Sequence, residues 1–372
     1  MTSNKLTFKS WIGFLFRLFP VTAEPGLRVI GHPDADSPVL VTANFALTVK
    51  RVMKQLKGLD CYLLVAPTRG INVWCAAGGD SFNAHSIISV LKTSGINYRV
   101  AHRRLILPQL AAPGIDTRQV LEKAGWHCAF GPVYAKDIPA YLKTGQKTEA
   151  MKRIDFNWKE RLDAGFGCSF TGYLLIMLAL AVFDALTGIA WFAEFTCIGF
   201  GLLFSMYLFY PYTPGRSGWR KVLAWEVFLA ILYGIYCVLP GGSPSASGTA
   251  LYLTAAVTAL VIGIDFGGVM ADNRTDFDPF MRKLGFIQWG EILYFDNFRI
   301  RLILGIIHIR FKEEACIGCG KCEDVCPMGV YTIDGERKKS LSAAPHRCIA
   351  CTACVKQCPA EALYLQQASG GV

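Results

Sequence analysis

The chain has little charge and few histidines: of its 372 residues only 18% are Asp, Glu, Lys or Arg, and six are His. With 52% hydrophobic residues and a mean hydropathy of +0.34, so little charge argues against an ordinary soluble enzyme and for a part that lies in lipid. A Gly-x-Gly-x-x-Gly turn and a phosphate-binding loop are both missing, so a nucleotide is a poor choice of ligand. The net charge of +10 is not gathered into a basic patch interleaved with aromatics, which counts against nucleic acid. A cytoplasmic membrane face accounts for it better. The stretch from Lys5 to Pro20 lacks the long apolar core and cleavage site of a signal peptide. With Trp11, Phe14, Leu15, Phe16, Leu18 and Phe19 set among Lys5, Lys9 and Arg17, it reads as an interfacial amphipathic helix or as a helix packed on its own domain.

Cysteine is the residue the chain does have, 14 in all, and eight of them fall in two runs near the C-terminus. Cys316-x-x-Cys319-x-x-Cys322-x-x-x-Cys326-Pro327 is repeated as Cys348-x-x-Cys351-x-x-Cys354-x-x-x-Cys358-Pro359. This spacing holds [4Fe-4S] clusters in bacterial-type ferredoxins, where the fourth cysteine of each run crosses to the other cluster. One cluster is expected on Cys316, Cys319, Cys322 and Cys358, the other on Cys348, Cys351, Cys354 and Cys326. Separate tetrahedral zinc sites suit the duplicated spacing poorly. Thiols so arranged point to a reducing compartment, and no structural disulfide is expected.

Residues 25–150 alternate short apolar runs with helical stretches. Val39 to Thr42, Cys61 to Ala66, Tyr98 to Ala101, Leu105 to Leu107 and Trp126 to Val133 read as strands. Phe45 to Leu56, Ala84 to Lys92 and Thr117 to Ala124, the last capped by Asp116, read as helices. An α/β, Rossmann-like sheet with helices on both faces is expected. After a charged lead at 151–167 come four apolar spans of about bilayer length, near Cys168 to Leu186, Gly188 to Tyr210, Val222 to Leu239 and Thr249 to Met270. Arg216, Arg220 and Lys221 lie between the second and third, whereas Gly241 to Gly248 carries no charge, so both ends are expected in the cytoplasm. Asp184, Glu194, Glu226 and Asp265, in or beside these spans, are weak functional candidates. The expected division is an amphipathic segment 1–24, an α/β domain 25–150, a charged linker 151–167, a transmembrane domain 168–272, a cytoplasmic linker 273–314 and a two-cluster ferredoxin domain 315–372.

Within the α/β part, Gly70-Ile71-Asn72-Val73-Trp74-Cys75-Ala76-Ala77-Gly78 places a cysteine in the first turn of an expected helix capped by Asn72. That end of a helix favours thiolate, the form that binds metal. On these residues alone, a small core cysteine is the plainer reading. His85, His102 and His127 have no partners at metal spacing and read as surface or core residues.

The nine residues from Gly70 to Gly78 closely resemble the cap-helix motif of the corrinoid protein of microbial mercury methylation. Pro38 to Asn44, His102 to Leu110 and Gly131 to Val133 are similar to that family in the same order, and no Asp-x-His-x-x-Gly pattern offers cobalt a histidine instead. The resemblance implies a corrinoid of cobalamin type held by Asn72, Val73, Trp74, Cys75, Ala76, Ala77 and Gly78, with the Cys75 thiolate as lower axial ligand of cobalt and catalytic residue. It implies a methyltransferase that moves a methyl group from a methyl-cobalt intermediate to Hg(II). The family's separate two-cluster ferredoxin looks fused here, as the reductant of the corrinoid. Implied partners are a methyl donor protein or folate-linked donor, a low-potential electron donor and the membrane, in a prokaryotic inner membrane with both functional domains cytoplasmic. Two departures stand out: Gly79-Asp80 follows Gly78 where the family continues with lysine, and the family's final cysteine pair has no counterpart in Tyr364 to Val372. A related methyltransferase with another acceptor, and a membrane-bound ferredoxin electron carrier without corrinoid activity, remain the other readings.

Overall fold

The computed structural model describes residues 21–155, 157–188, 191–210, 212–213, 218–239, 246–269, 307–348 and 351–367. The segment from Lys5 to Pro20, most of the linker 273–314 and Asp265's side chain therefore lie outside the described residues. The chain forms two compact units, one of residues 1–19 and 156–273, the other of 20–155 and 274–372.

The second unit is built on a five-stranded sheet of β1 (Gly26–Ile30), β2 (Val39–Ala43), β3 (Cys61–Ala66), β4 (Arg104–Leu107) and β5 (His127–Phe130), ordered β1-β3-β2-β4-β5. β2 and β3 are buried at every residue, as central parallel strands covered on both faces must be. They run parallel with Val39 opposite Tyr62 and Ala43 opposite Ala66, while β4 and β5 pair in parallel from Arg104 and His127 to Leu107 and Phe130. β1 is an antiparallel edge strand, Gly26 opposite Val65 and Ile30 opposite Cys61.

The side-chain alternation of β2 and β3 feeds two cores. Val39, Val41, Tyr62, Leu64, Leu105 and Leu107 face one, with Ile87 and Leu91 from the helix Ala84–Thr93 and Val120 from Thr117–Ala124. Leu40, Cys61 and Leu63 face the other, with Leu56, Val52, Ile138 and Leu142. Helices thus cover both faces of the sheet. Tyr98 to Ala101 is a correction to the sequence reading: Ile96–Tyr98 is a 3-10 turn, and only Ile96 and Val100 of this stretch are buried. Two buried positions four apart mimic alternation without any strand to pair with.

Strand order reverses at β2, since the chain passes from β2 to β3 on one side and then to β4 on the other. Such a switch point leaves a crevice at the carboxyl ends of the strands, where open α/β sheets bind ligands. The segments beginning at Asn44, Pro67 and Pro108 all leave from that end.

The same unit carries the C-terminal ferredoxin module. Its two-stranded sheet pairs Ile307–Phe311 with Leu363–Gln367, and a second pairs Tyr331–Ile333 with Ser340–Ser342. The short helices Lys321–Val325 and Ala353–Lys356 each sit inside one cysteine run.

Among its described residues the first unit holds four helices, Trp158–Thr187, Trp191–Leu208, Gly218–Val238 and Ala246–Val269. They overlap the four apolar spans read from the sequence. Among the described residues one stretch, Lys221–Val238, is long and apolar enough to cross a membrane, with a mean hydropathy of 1.7; Ile176–Thr187, Phe195–Leu208 and Gly248–Leu260 are shorter apolar stretches. Leu203, Met206, Tyr207, Val222, Ala259 and Ile262 pack together inside. Asp184 has a structural part to play here, since its Oδ2 accepts from the Phe192 N–H at 2.7 Å at the start of the next helix.

Candidate functional site

Asn72 caps the helix Val73–Gly78 as its side chain type suggests, with Oδ1 accepting from the Cys75 N–H at 2.9 Å. The same carboxamide turns its Nδ2 to Cys75 Sγ at 3.4 Å. Asn72, Val73, Trp74, Cys75 and Gly78 are half-buried, while Ala76 and Ala77 are buried against the sheet. The helix therefore anchors by its small residues and leaves the Asn72 to Cys75 turn accessible. A side chain larger than alanine at 76 or 77 would lift that turn off the core.

The loop before the helix is held by a residue no motif singles out as functional. Asn44, buried just past the end of β2, accepts with Oδ1 from the Thr68 N–H at 2.9 Å, the Thr68 hydroxyl at 2.9 Å and the Gly70 N–H at 2.8 Å. Gly70 adopts a left-handed φ of +76°, which lets the chain turn sharply from β3 into the helix. Behind the helix, Gly114 has no room for a side chain: a Cβ there would collide with Phe82 O and with Ala77 O. The Pro38 to Asn44 and His102 to Leu110 stretches matter for such reasons. They end in the strands and loops that seat the cap helix.

Cys61, Cys128 and His102 are engaged elsewhere. Cys61 is fully buried in the core on the opposite face of the sheet, and burial pushes its thiol up to about 11. Burial pushes Cys128 up to about 12. His102 uses both ring nitrogens in structure, Nδ1 accepting from the Arg104 N–H at 3.1 Å and Nε2 facing Ser37 O at 3.0 Å.

The eight C-terminal cysteines gather in two groups of four. Cys316, Cys319, Cys322 and Cys358 line one pocket, with Ile317, Ile333 and Leu363 in its walls. Cys326, Cys348, Cys351 and Cys354 line a second, walled by Met328, Val330 and Tyr331. These are the two sets that the crossover spacing implies. Two of the thiols receive equivalent backbone bonds, Cys326 Sγ from the Val330 N–H at 3.3 Å and Cys358 Sγ from the Ala362 N–H at 3.2 Å. Such N–H···S bonds favour a negatively charged sulfur and tune cluster potential. Burial raises the Cys322 and Cys354 thiols above their ordinary range, so a thiolate there needs a cation to compensate it. Four soft donors around an apolar-walled cavity fit an iron-sulfur cluster.

Comparison with known proteins agrees with both halves of this description. Residues 17–142 match the family described as CO dehydrogenase/acetyl-CoA synthase delta subunit, and residues 315–362 match the 4Fe-4S dicluster domain. Among curated relatives, the acetyl-CoA decarbonylase/synthase complex subunit gamma of Methanocaldococcus jannaschii is 35% identical over 145 residues, 38% of this chain and 28% of the relative. The corresponding subunit of Methanopyrus kandleri is 36% identical over 138 residues, 37% of this chain and 29% of its own length. Subunit gamma 2 of Methanosarcina mazei is 40% identical over 128 residues, 33% of this chain and 27% of its length. The chain thus spans under a third of these relatives. Two separate matches, one in the α/β domain and one in the C-terminal module, thus lie in a single chain.

Proposed function

We propose that this protein is a membrane-anchored, corrinoid-dependent methyltransferase that methylates Hg(II) and is re-reduced by two [4Fe-4S] clusters of its own. One observation carries the reading: Cys75 stands in the accessible first turn of a capped helix, at the switch point of the sheet, with the Asn72 carboxamide bonded to both its N–H and its sulfur. The corrinoid would supply a cobalt centre that accepts and gives up a methyl group. Cys75 would hold the cobalt, with Asn72, Val73, Trp74, Ala76, Ala77 and Gly78 beside it. A thiolate ligand would add electron density to the metal, chemistry that suits a soft acceptor such as Hg(II).

Asn72 keeps the sulfur oriented, and its bond from Nδ2 favours the thiolate over the thiol. Cys316, Cys319, Cys322 and Cys358 would hold one cluster and Cys326, Cys348, Cys351 and Cys354 the other. Their fusion to the α/β domain replaces a bimolecular encounter with an intramolecular one. Four apolar helices, with Arg216 before the third in sequence and Arg220 and Lys221 in its first turn, support a multi-pass anchor in a prokaryotic inner membrane with both functional domains cytoplasmic. A low-potential electron donor and a methyl donor, protein-borne or linked to a folate, complete the cycle.

The subunit gamma relatives favour a second reading, in which the same methyl group goes to an acceptor other than mercury. An anaerobic assay separates the two: membranes holding the protein, with cobalamin, strong reductant, methyl donor and Hg(II), are run beside Cys75→Ala. Methylmercury from the wild type alone supports the first reading. A corrinoid spectrum that depends on Cys75 without any methylmercury supports the second, and no corrinoid uptake refutes both.

A further inference from the structure

Two residues of the ferredoxin module are buried in the core of the α/β domain: Val325 and Ala353 share one apolar cluster with Leu105, Leu107 and Trp126, and Cys351 packs against it. Gln357 fastens the same contact. Its Nε2 donates to Ala112 O at 2.8 Å and to Ile115 O at 2.7 Å, while its Oε1 accepts from the Thr117 hydroxyl at 3.1 Å. Both amide hydrogens and the amide oxygen are thereby used, across some 240 residues of sequence, by a side chain that is only 8% exposed. An amide buried and saturated in this way fixes orientation, because any other placement strands its hydrogen-bonding groups.

A second arm holds the other side. Lys147 Nζ reaches the Asp324 carboxylate at 2.9 Å and Gln109 Oε1 at 3.0 Å; Lys152 lies 3.5 Å from Glu323; and the Ile154 N–H donates to Pro327 O at 2.9 Å. The 109–117 segment touches the cap helix on one side, through Gly114 against Ala77, and Gln357 on the other.

The two thiol cavities are placed unequally by this contact. The one lined by Cys326, Cys348, Cys351 and Cys354 shares Cys351 and Ala353 with the α/β core. The one lined by Cys316, Cys319, Cys322 and Cys358 shares none of its walls with that core, and although each site has one exposed thiol, Cys319 and Cys348, only this one has a wall as open as Ile317, which is 67% exposed.

We propose that Gln357 is a positioning residue that locks the module in one orientation, with the Cys326, Cys348, Cys351 and Cys354 site turned to the cap-helix domain. The Cys316, Cys319, Cys322 and Cys358 site faces away and is the one a separate electron-carrying protein can reach. This inference rests on the two-cluster reading above.

The test uses the full chain loaded with iron and sulfide, exposed anaerobically to a ferrous chelator and an alkylating agent, with released iron followed in time and labelled cysteines identified by mass spectrometry. Wild type is expected to lose iron in two phases, with Cys316, Cys319, Cys322 and Cys358 labelled in the fast one. Gln357→Ala should quicken the slow phase by roughly tenfold and raise hydrogen exchange at 111–117 alongside it, as the loss of buried hydrogen bonds requires. Should Gln357→Ala take up no clusters, Thr117→Val, on the α/β side of the contact, carries the same expectation at a few-fold. Iron lost in one phase from wild type, the opposite labelling order, or a slow phase indifferent to both variants overturns the proposal. A wild type that binds no iron refutes the cluster reading itself, a different and separately visible result.

Discussion

Asn72 and Cys75 form a closed pair: one carboxamide accepts from the Cys75 N–H at 2.9 Å and turns its own N–H to Cys75 Sγ at 3.4 Å. The residue that starts the helix is thus also the one that orients its sulfur. Asn72→Asp keeps the cap but replaces the donor by a carboxylate next to sulfur, which disfavours thiolate. Its stability should match wild type within about 0.5 kcal/mol, while Cys75 alkylation at pH 7 slows. Asn72→Ala loses the cap along with the donor, and should in contrast cost roughly 1 kcal/mol. Denaturation and mass-spectrometric labelling, compared across the two variants, separate capping from sulfur chemistry.

Asn44→Ala leaves the Thr68 and Gly70 N–H groups without their buried acceptor. The expected cost is roughly 1–3 kcal/mol, read by chemical denaturation. Hydrogen exchange should rise first at 68–78, because the loop into the cap helix is what Asn44 holds.

Gly114→Ala drives a Cβ into Phe82 O and the Ala77 backbone. The cap helix must move outward to accommodate it, at about 1–3 kcal/mol. Corrinoid uptake, followed by absorbance, should fall in this variant while its iron content stays at the wild-type level; equal uptake would show that the helix has no fixed seat.

Burial raises Cys61 to about 11 and Cys128 to about 12. Both folded values lie above the ordinary thiol range, so at pH 8 each is protonated in all but about one molecule in a thousand or fewer. Iodoacetamide at pH 8 should therefore label Cys75 ahead of Cys61 and Cys128, and labelling of the latter two should appear only as pH approaches 11. Early labelling of Cys128 would make it a possible thiolate relay for a soft metal, a part its burial argues against.

Much of the α/β fold could be read from residues because burial on both faces forces continuous apolar strands. Val39 to Ala43 and Cys61 to Ala66 have that character, and the helix Thr117–Ala124 begins after Asp116 as its capping chemistry requires. Edge strand β1 was not legible, because Gly26–Ile30 is held only by its pairing to β3 and has no full apolar face of its own. Asn44 and Gln109 lie in stretches the resemblance singled out, but their roles, and that of Gly114, were not legible for a related reason. Their partners are 24 to 43 residues away, or, for Gly114, the cap helix itself, and no local pattern records them.

By itself the sequence determined the parts: strands from apolar runs, the cap helix from Asn72 and Cys75, two cysteine sets from duplicated spacing, and apolar helices from composition. Each is a local property, settled by hydrogen-bond capping, thiol spacing or the length of an apolar run. Only the tertiary structure decided where the parts meet. That Gln357 closes on Ala112 and Ile115, and that Ala353 is buried among strands from the other end of the chain, depends on long-range burial. Such contacts are chosen because they satisfy polar groups and remove apolar surface from water together, and neither benefit is written in the spacing of neighbouring residues.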